Sequence, residues 1–370
     1  MNRLLQARRI VVKVGSALLV DPTNGTLREA WLRALAADLA DCRSRGQEVL
    51  VVSSGAIALG RRPLDLAGTQ LRLEDSQAAA ATGQIRLAHA YQEALAPHDV
   101  TVAQILLTAS DTETRRRYLN ARNTLSALLR RGALPVVNEN DTVATEEIRV
   151  GDNDRLAARV AAMISADCLV LLSDIDGLYT TDPRQNAQAS FIEEVTEITP
   201  EIEAMAGAAN PEMGQGGMVT KLQAARIALQ GGCHMAIADG RRDNPLALLS
   251  RGGVATWFIA GATPTSARKR WIAGSLSPAG AITIDDGAQA ALARGKSLLP
   301  AGVVAVEGGF QRGDAVVVRN STGAELGRGL IAYSAEDAAR IIGHNSRDIE
   351  ALLGYRGREE IIHRDDLVLR

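Results

Sequence analysis

Val136-Val137 runs straight into Asn138-Glu139-Asn140-Asp141, and after a loop the polar run resumes as Gly151-Asp152-Asn153-Asp154 ahead of Arg155-Leu156-Ala157-Ala158-Arg159. Carboxylates and amides crowded at a strand end and at a helix start suit a small polar ligand better than a core. Lys13 stands near the end of Ile10-Val11-Val12-Lys13-Val14, just before Gly15-Ser16. On an edge strand such a lysine would snorkel to solvent, whereas turned inward from a strand buried on both faces it needs an anionic partner. Ser53-Ser54-Gly55-Ala56 follows the apolar run Val49 to Val52 and offers backbone donors to an anion or carboxylate, although alone it also reads as a plain N-cap. Gly214-Gln215-Gly216-Gly217-Met218-Val219-Thr220-Lys221 opens a further helix. Glycines there let amides curl around an oxyanion, and a lysine in a first helical turn opposes the helix dipole unless an anion is present. The spacing is neither a Walker A loop nor a dinucleotide fingerprint, and an ordinary glycine-rich loop is the bland alternative.

The elements that must hold these residues alternate regularly. Thr26-Leu27-Arg28-Glu29 reads as a capping box, followed by Leu27, Trp31, Leu35 and Leu39 at four-residue spacing until Gly46. Helices are expected from Asp75 to about Pro97 and from about Tyr118 to Arg131, with strands at Thr101–Leu107, Ala133–Val137, Cys168–Leu172, His234–Asp239 and Val254–Ile259. Apolar strands separated by helices predict an α/β three-layer sandwich with a mostly parallel central sheet. In such sheets ligands collect beyond the carboxyl ends of the strands, where Lys13, Ser53, Asp141 and Asp174 all fall. The pattern breaks in Gly261 to Arg270, which ends in the basic triplet Arg268-Lys269-Arg270. We expect an α/β domain over 1–262, a linker over 263–276 and a small β-rich barrel over 277–370.

Composition narrows the function classes. The 370 residues carry 41 basic and 43 acidic side chains, a net charge of -2, so no global field draws nucleic acid or an anionic membrane. Aromatic residues at 3% disfavour a base-stacking platform. Cys42, Cys168 and Cys233 have no metal-ligand or redox spacing and suit core thiols of a reducing compartment. With no apolar leader and no run long enough for a bilayer, a cytoplasmic protein is expected.

Together Lys13-Val14-Gly15-Ser16, Ser53-Ser54-Gly55-Ala56, Asn138 to Asp141, Gly151 to Asp154, Gly216-Gly217-Met218 with Thr220-Lys221, and Arg268-Lys269-Arg270-Trp271-Ile272 resemble, in order and spacing, the amino-acid kinase family. Within it they resemble the glutamate 5-kinases, which carry a C-terminal PUA domain. The resemblance covers nearly the whole chain. It implies the amino-acid kinase fold with a PUA barrel, and transfer of the γ-phosphoryl group of ATP to the side-chain carboxylate of L-glutamate. The product would be γ-glutamyl phosphate, for proline biosynthesis. It implies catalytic roles for Lys13 and Lys221, with Asp154 orienting both ammonium groups, and glutamate binding by Ser53, Asp141 and Asn153, with Asn138 as a further candidate. ATP would lie against Lys13, Ser173, Asp174 and the segment Gln215, Gly216, Gly217, Met218, Val219, Thr220 and Lys221. Where the family has Thr, this chain has Gln215 and Ser173; the first removes a hydroxyl beside the glycine loop and the second keeps one. Mg²⁺ would enter with ATP and take no protein ligand. Proline inhibition, a homo-oligomer and hand-over of the product to glutamyl phosphate reductase are implied by the resemblance alone.

Two alternatives compete. Another member of the same family would act on a different carboxylate, carbamate or nucleoside monophosphate; a phosphate acceptor would call for extra cations, whereas Asn138 to Asp154 supplies mainly carboxylates and amides. RNA binding through the C-terminal module is the other, and 11 basic against 13 acidic residues in 275–370 count against it.

Overall fold

The structure is a computed structural model, and it describes residues 2–369 except 67, 69, 70, 144–151, 207–216 and 275–277, and the side chains of 152, 273 and 274. Two compact units emerge, Met1–Pro264 and Thr265–Arg370.

The first unit opens with α1 (Arg3–Gln6), β1 (Arg9–Val14), α2 (Ser16–Leu19), α3 (Glu29–Ser44), β2 (Glu48–Ser53), α4 (Ala56–Arg61) and the long α5 (Leu73–Leu95). It continues through β3 (Val102–Leu107), α6 (Ala109–Glu113), α7 (Arg115–Arg130), β4 (Leu134–Glu139), α8 (Asp152–Met163) and β5 (Cys168–Ser173). After the short β6 (Leu178–Tyr179), β7 (Phe191–Ile192), β8 (Glu194–Val195) and α9 (Pro200–Met205) come α10 (Met218–Gln230), β9 (His234–Asp239), α11 (Pro245–Ser250) and β10 (Ala255–Phe258). Eight strands form one sheet in the order β3-β4-β2-β1-β5-β9-β10-β8. The run from β3 to β9 is parallel throughout, while β10 is antiparallel to β9.

Side-chain alternation sorts the strands into two cores. Ile10, Val12 and Val14 of β1, Val49 and Val51 of β2, and Cys168, Val170 and Leu172 of β5 pack with Trp31, Leu35, Leu39, Leu87 and Tyr91 of α3 and α5. Val11, Leu50, Val52, Leu169 and Leu171 pack instead with Leu156, Val160, Leu222 and Ala225 of α8 and α10. Strands apolar on both faces and helices on each side give the expected three layers. The same period-two alternation aims Lys13 toward α8 and α10, on the face of Val11.

The cysteine thiols are all buried. Burial pushes Cys42 to about 11 and Cys168 to about 12, which leaves them inert core thiols.

The expected capping box at Thr26 does not form. Thr26 donates its hydroxyl to Asn24 Oδ1 at 2.6 Å, Leu27 bridges to Val20, and α3 begins at Glu29 behind Arg28 with no side-chain cap. A nearer acceptor, two residues back, has taken the threonine. Glycine matters at one crossing: a Cβ on Gly83 of α5 would lie 1.8 Å from Ala56 O, and one on Gly60 of α4 1.8 Å from Ala79 O. Backbone-to-backbone contact between α4 and α5 is therefore open only to glycine.

The second unit has its own core of Ile282, Ile284, Leu298, Phe310, Val316, Val318 and Tyr333. Its strands β11 (Gly280–Ile284), β12 (Val303–Gly308), β13 (Ala315–Arg319), β14 (Glu325–Leu330) and β15 (Leu367–Leu369) order as β12-β11-β13-β14-β15. The β-rich module is present, but no pairing of β12 with β15 closes it into a barrel among the described residues. Arg268 of the basic triplet donates to Asp366 Oδ1 at 2.6 and 3.1 Å in a buried ion pair of this unit.

Candidate active site

Helix α8 connects β4 to β5, and its first turn reaches Lys13 near the end of β1 and Ser54 just beyond β2. Its successive residues Asn153 and Asp154 reach two different polar clusters.

Asp154 is 1% exposed. Its Oδ1 lies 2.6 Å from Lys13 Nζ, and its Oδ2 lies 3.4 Å from Lys221 Nζ and accepts from Thr220 Oγ1 at 2.9 Å. Lys13 is delivered by β1, and Lys221 and Thr220 by the first turn of α10. Both ammonium groups are buried, at 8% and 6% exposure. Burial alone would raise the Asp154 carboxyl, but the charges of Lys13 and Lys221 and the hydrogen bonds from Lys13 and Thr220 outweigh it and hold it below the ordinary carboxylate range. Asp154 is thus ionised at neutral pH, with two ammonium groups gathered about one carboxylate.

Asn153 enters an uncharged cluster. Its Nδ2 donates to Ser54 Oγ at 2.8 Å and to Asn138 Oδ1 at 3.2 Å, and Asn138 Nδ2 donates to Gln84 Oε1 at 2.7 Å. Ser53, the last residue of β2 and fully buried, donates to Ser54 O at 3.0 Å and accepts from Tyr91 Oη at 3.0 Å. Gly55 sits in the left-handed region at φ 111° and turns the chain from this pair of serines into α4. Asp141 lies two residues beyond β4 and is 7% exposed.

The remaining nucleotide candidates lie elsewhere along the same sheet edge. Ser173 closes β5 and donates to Asp174 Oδ1 at 3.1 Å. On the next strand Asp239 accepts two guanidinium hydrogen bonds from Arg241 at 2.9 Å each, which with the backbone amide of Arg241 holds its carboxyl below the ordinary range. Gly217 caps α10 in an extended conformation, with Met218 and Val219 in its first turn. Gln215 and Gly216 lie outside the described residues.

Sequence reasoning missed Gln84 and Tyr91 and assigned Ser54 no contact. The only signal for the first two was a glutamine and a tyrosine seven positions apart in an Ala-rich helix, which by itself reads as surface and core.

Residues 8–239 match the Amino acid kinase family and residues 280–353 match the PUA domain. A Glutamate 5-kinase of Paramagnetospirillum magneticum is 62% identical over 369 residues, covering 100% of both chains. One of Rhodospirillum rubrum is 61% identical over 97% of this chain and 96% of its own, and one of Rhodopseudomonas palustris 60% identical over 98% and 96%. Among solved structures, UMP kinase from Bacillus anthracis aligns over 70% of this chain and 98% of its own, with 15% identity and a TM-score of 0.48. The chain belongs to the amino acid kinase family, in its glutamate 5-kinase branch with a C-terminal PUA domain.

Proposed function

We infer that the chain transfers the γ-phosphoryl group of ATP to the side-chain carboxylate of L-glutamate, giving γ-glutamyl phosphate and ADP, the first step of proline biosynthesis. The observation that carries the chemistry is Asp154 holding Lys13 and Lys221 beside the uncharged cluster around Asn153; the acceptor is the one named for the full-length relatives. A γ-carboxylate with an ordinary pKa of about 4.3 is ionised at pH 7, so no general base is needed. One carboxylate oxygen bonds to the γ-phosphorus while the bond to the β–γ bridging oxygen breaks, and ADP leaves with that electron pair. The site's task is to bring two anions together and stabilise the charge on the transferred oxygens. Lys13 and Lys221 do this, and Asp154 keeps both aimed. Ser53, Asp141 and Asn153 hold glutamate, with Asp141 toward its α-ammonium group. Ser173, Asp174 and the segment from Gln215 to Lys221 hold ATP. Mg²⁺ would enter with ATP, held through the residues that bind ATP, and would supply neutralisation of phosphate charge. The donor set fits that arrangement, since Asp154 is already engaged by two ammonium groups.

The same proposal places catalysis in residues 1–262 and the PUA-like module in 277–370. Proline as inhibitor, a homo-oligomer and delivery of γ-glutamyl phosphate to a reductase rest on the resemblance. Residence in the cytoplasm is an expectation from the sequence; among the described residues no helix is long and apolar enough to cross a membrane. A coupled ATPase assay with glutamate, aspartate, N-acetylglutamate and UMP as acceptors tests the reading. Turnover with glutamate is expected, and its absence refutes the reading.

A further inference from the structure

Helix α5 touches the uncharged cluster twice, through Gln84 and Tyr91. The two are seven residues apart and so share one face of the helix. The α4–α5 crossing at Gly60 and Gly83 clamps this helix against the segment that begins at Ser53-Ser54-Gly55, with Gln84 immediately after the glycine at the crossing.

An asparagine amide can sit two ways round, and only its partners decide which end faces a ligand. Gln84 Oε1 accepts from Asn138 Nδ2, which leaves Asn138 Oδ1 toward Asn153. Asn153 then spends its Nδ2 on Asn138 and Ser54. Its Oδ1 is buried and has no hydrogen-bond partner among the described residues. With Gln84 Oε1 as the acceptor at the head of this chain of amides, turning Asn153 alone over would set its Oδ1 against Asn138 Oδ1, so the unpartnered acceptor end is kept. Tyr91 works in the other sense. Its hydroxyl is fully buried, burial raises it well above its ordinary value, and it therefore remains a donor. Its proton goes to Ser53 Oγ, so Ser53 keeps its own proton, which is given to Ser54 O and can turn to an oxyanion.

We propose that Gln84 and Tyr91 are positioning residues that fix the donor and acceptor polarity of the amino-acid subsite. Gln84, through Asn138, presents Asn153 Oδ1 to the α-ammonium group, and Tyr91 leaves the Ser53 hydroxyl to donate to a carboxylate. The inference rests on glutamate being the acceptor. Two helical positions that act through Asn138 and Ser53 thereby make the subsite read a zwitterion.

Glutarate, which is glutamate without its α-ammonium group, separates the two roles. Glutamate turnover by the unaltered chain tests the underlying reading; on that active chain, kcat/KM for glutamate and Ki for glutarate are compared in three variants, with folding checked by thermal unfolding. Gln84→Met should lower kcat/KM for glutamate about tenfold through KM, the scale of one hydrogen bond to a charged group, and leave Ki for glutarate and KM for ATP unchanged. Gln84→Glu, which still accepts from Asn138, should keep the unaltered chain's ratio of the two. Tyr91→Phe should weaken glutamate and glutarate alike. Equal loss of glutamate and glutarate in Gln84→Met, or a Gln84→Glu variant as impaired as Gln84→Met, would overturn the proposal.

Discussion

Asn153 and Asp154 are neighbours on one helix, yet they open onto surroundings of opposite character. Asn153 meets hydroxyls and amides, and Asp154 meets two ammonium groups. The turn of about 100° per residue in an α-helix is what separates them. On the proposed reading a single first turn divides the site into a half of hydroxyls and amides, joined by Asp141, that recognises the amino acid, and a cationic half that manages phosphoryl charge. The two halves also fail differently. Removing an amide from the first costs a hydrogen bond, whereas removing one partner from the second leaves buried charge without compensation.

The most severe way to break this division is Asp154→Asn. With two ammonium groups buried beside a neutral amide, stability should fall by about 3–5 kcal/mol in urea unfolding, and turnover should fall with it. A smaller loss is expected from Gly83→Ala, where the new methyl must displace Ala56 O of the crossing helix. We expect about 1–3 kcal/mol in the same assay, with the KM for glutamate rising because α5 and its hydrogen bonds shift. Asn153→Ala should leave KM for ATP unchanged and raise KM for glutamate roughly 10- to 100-fold, as expected when a hydrogen bond to a charged group is removed. An equal rise in both KM values would erase the proposed division.

The mildest test is acidification. The folded Asp154 carboxyl lies below its ordinary value of 3.8, so its ion pairs contribute fully above that pH and are lost as pH falls through the depressed folded value. Unfolding measured from pH 7 down should show stability declining below about 4, and Asp154→Asn should lack that part of the decline.

Which features the chain shows in one dimension follows from how local they are. The polar run at Asn153-Asp154, the inward Lys13 and the cation at Lys221 stand out because each breaks a local rule of burial or dipole. Alternating apolar runs were enough for the three layers, since a parallel strand must be apolar on both faces. Thr26 misled because Asn24 competes for its hydroxyl at short range, a choice that propensity does not rank. The second unit's strands were visible in its Gly-bounded apolar runs, but closure depends on how edge strands meet and has no local signature. Gln84 and Tyr91 were invisible for a different reason. Their partners lie 54 and 38 residues away, and the packing of α5 in the folded unit brings them together.

The measurement that bears most directly on the division is Lys221→Met, assayed with glutamate varied at saturating ATP and with ATP binding followed separately. We predict a fall in kcat of about 100-fold or more, the scale for removing one charge-stabilising donor, with KM for glutamate nearly unchanged and the protein folded. Unchanged kcat, or a rise in glutamate KM like that expected for Asn153→Ala, would contradict the assignment of Lys221 to the phosphoryl half.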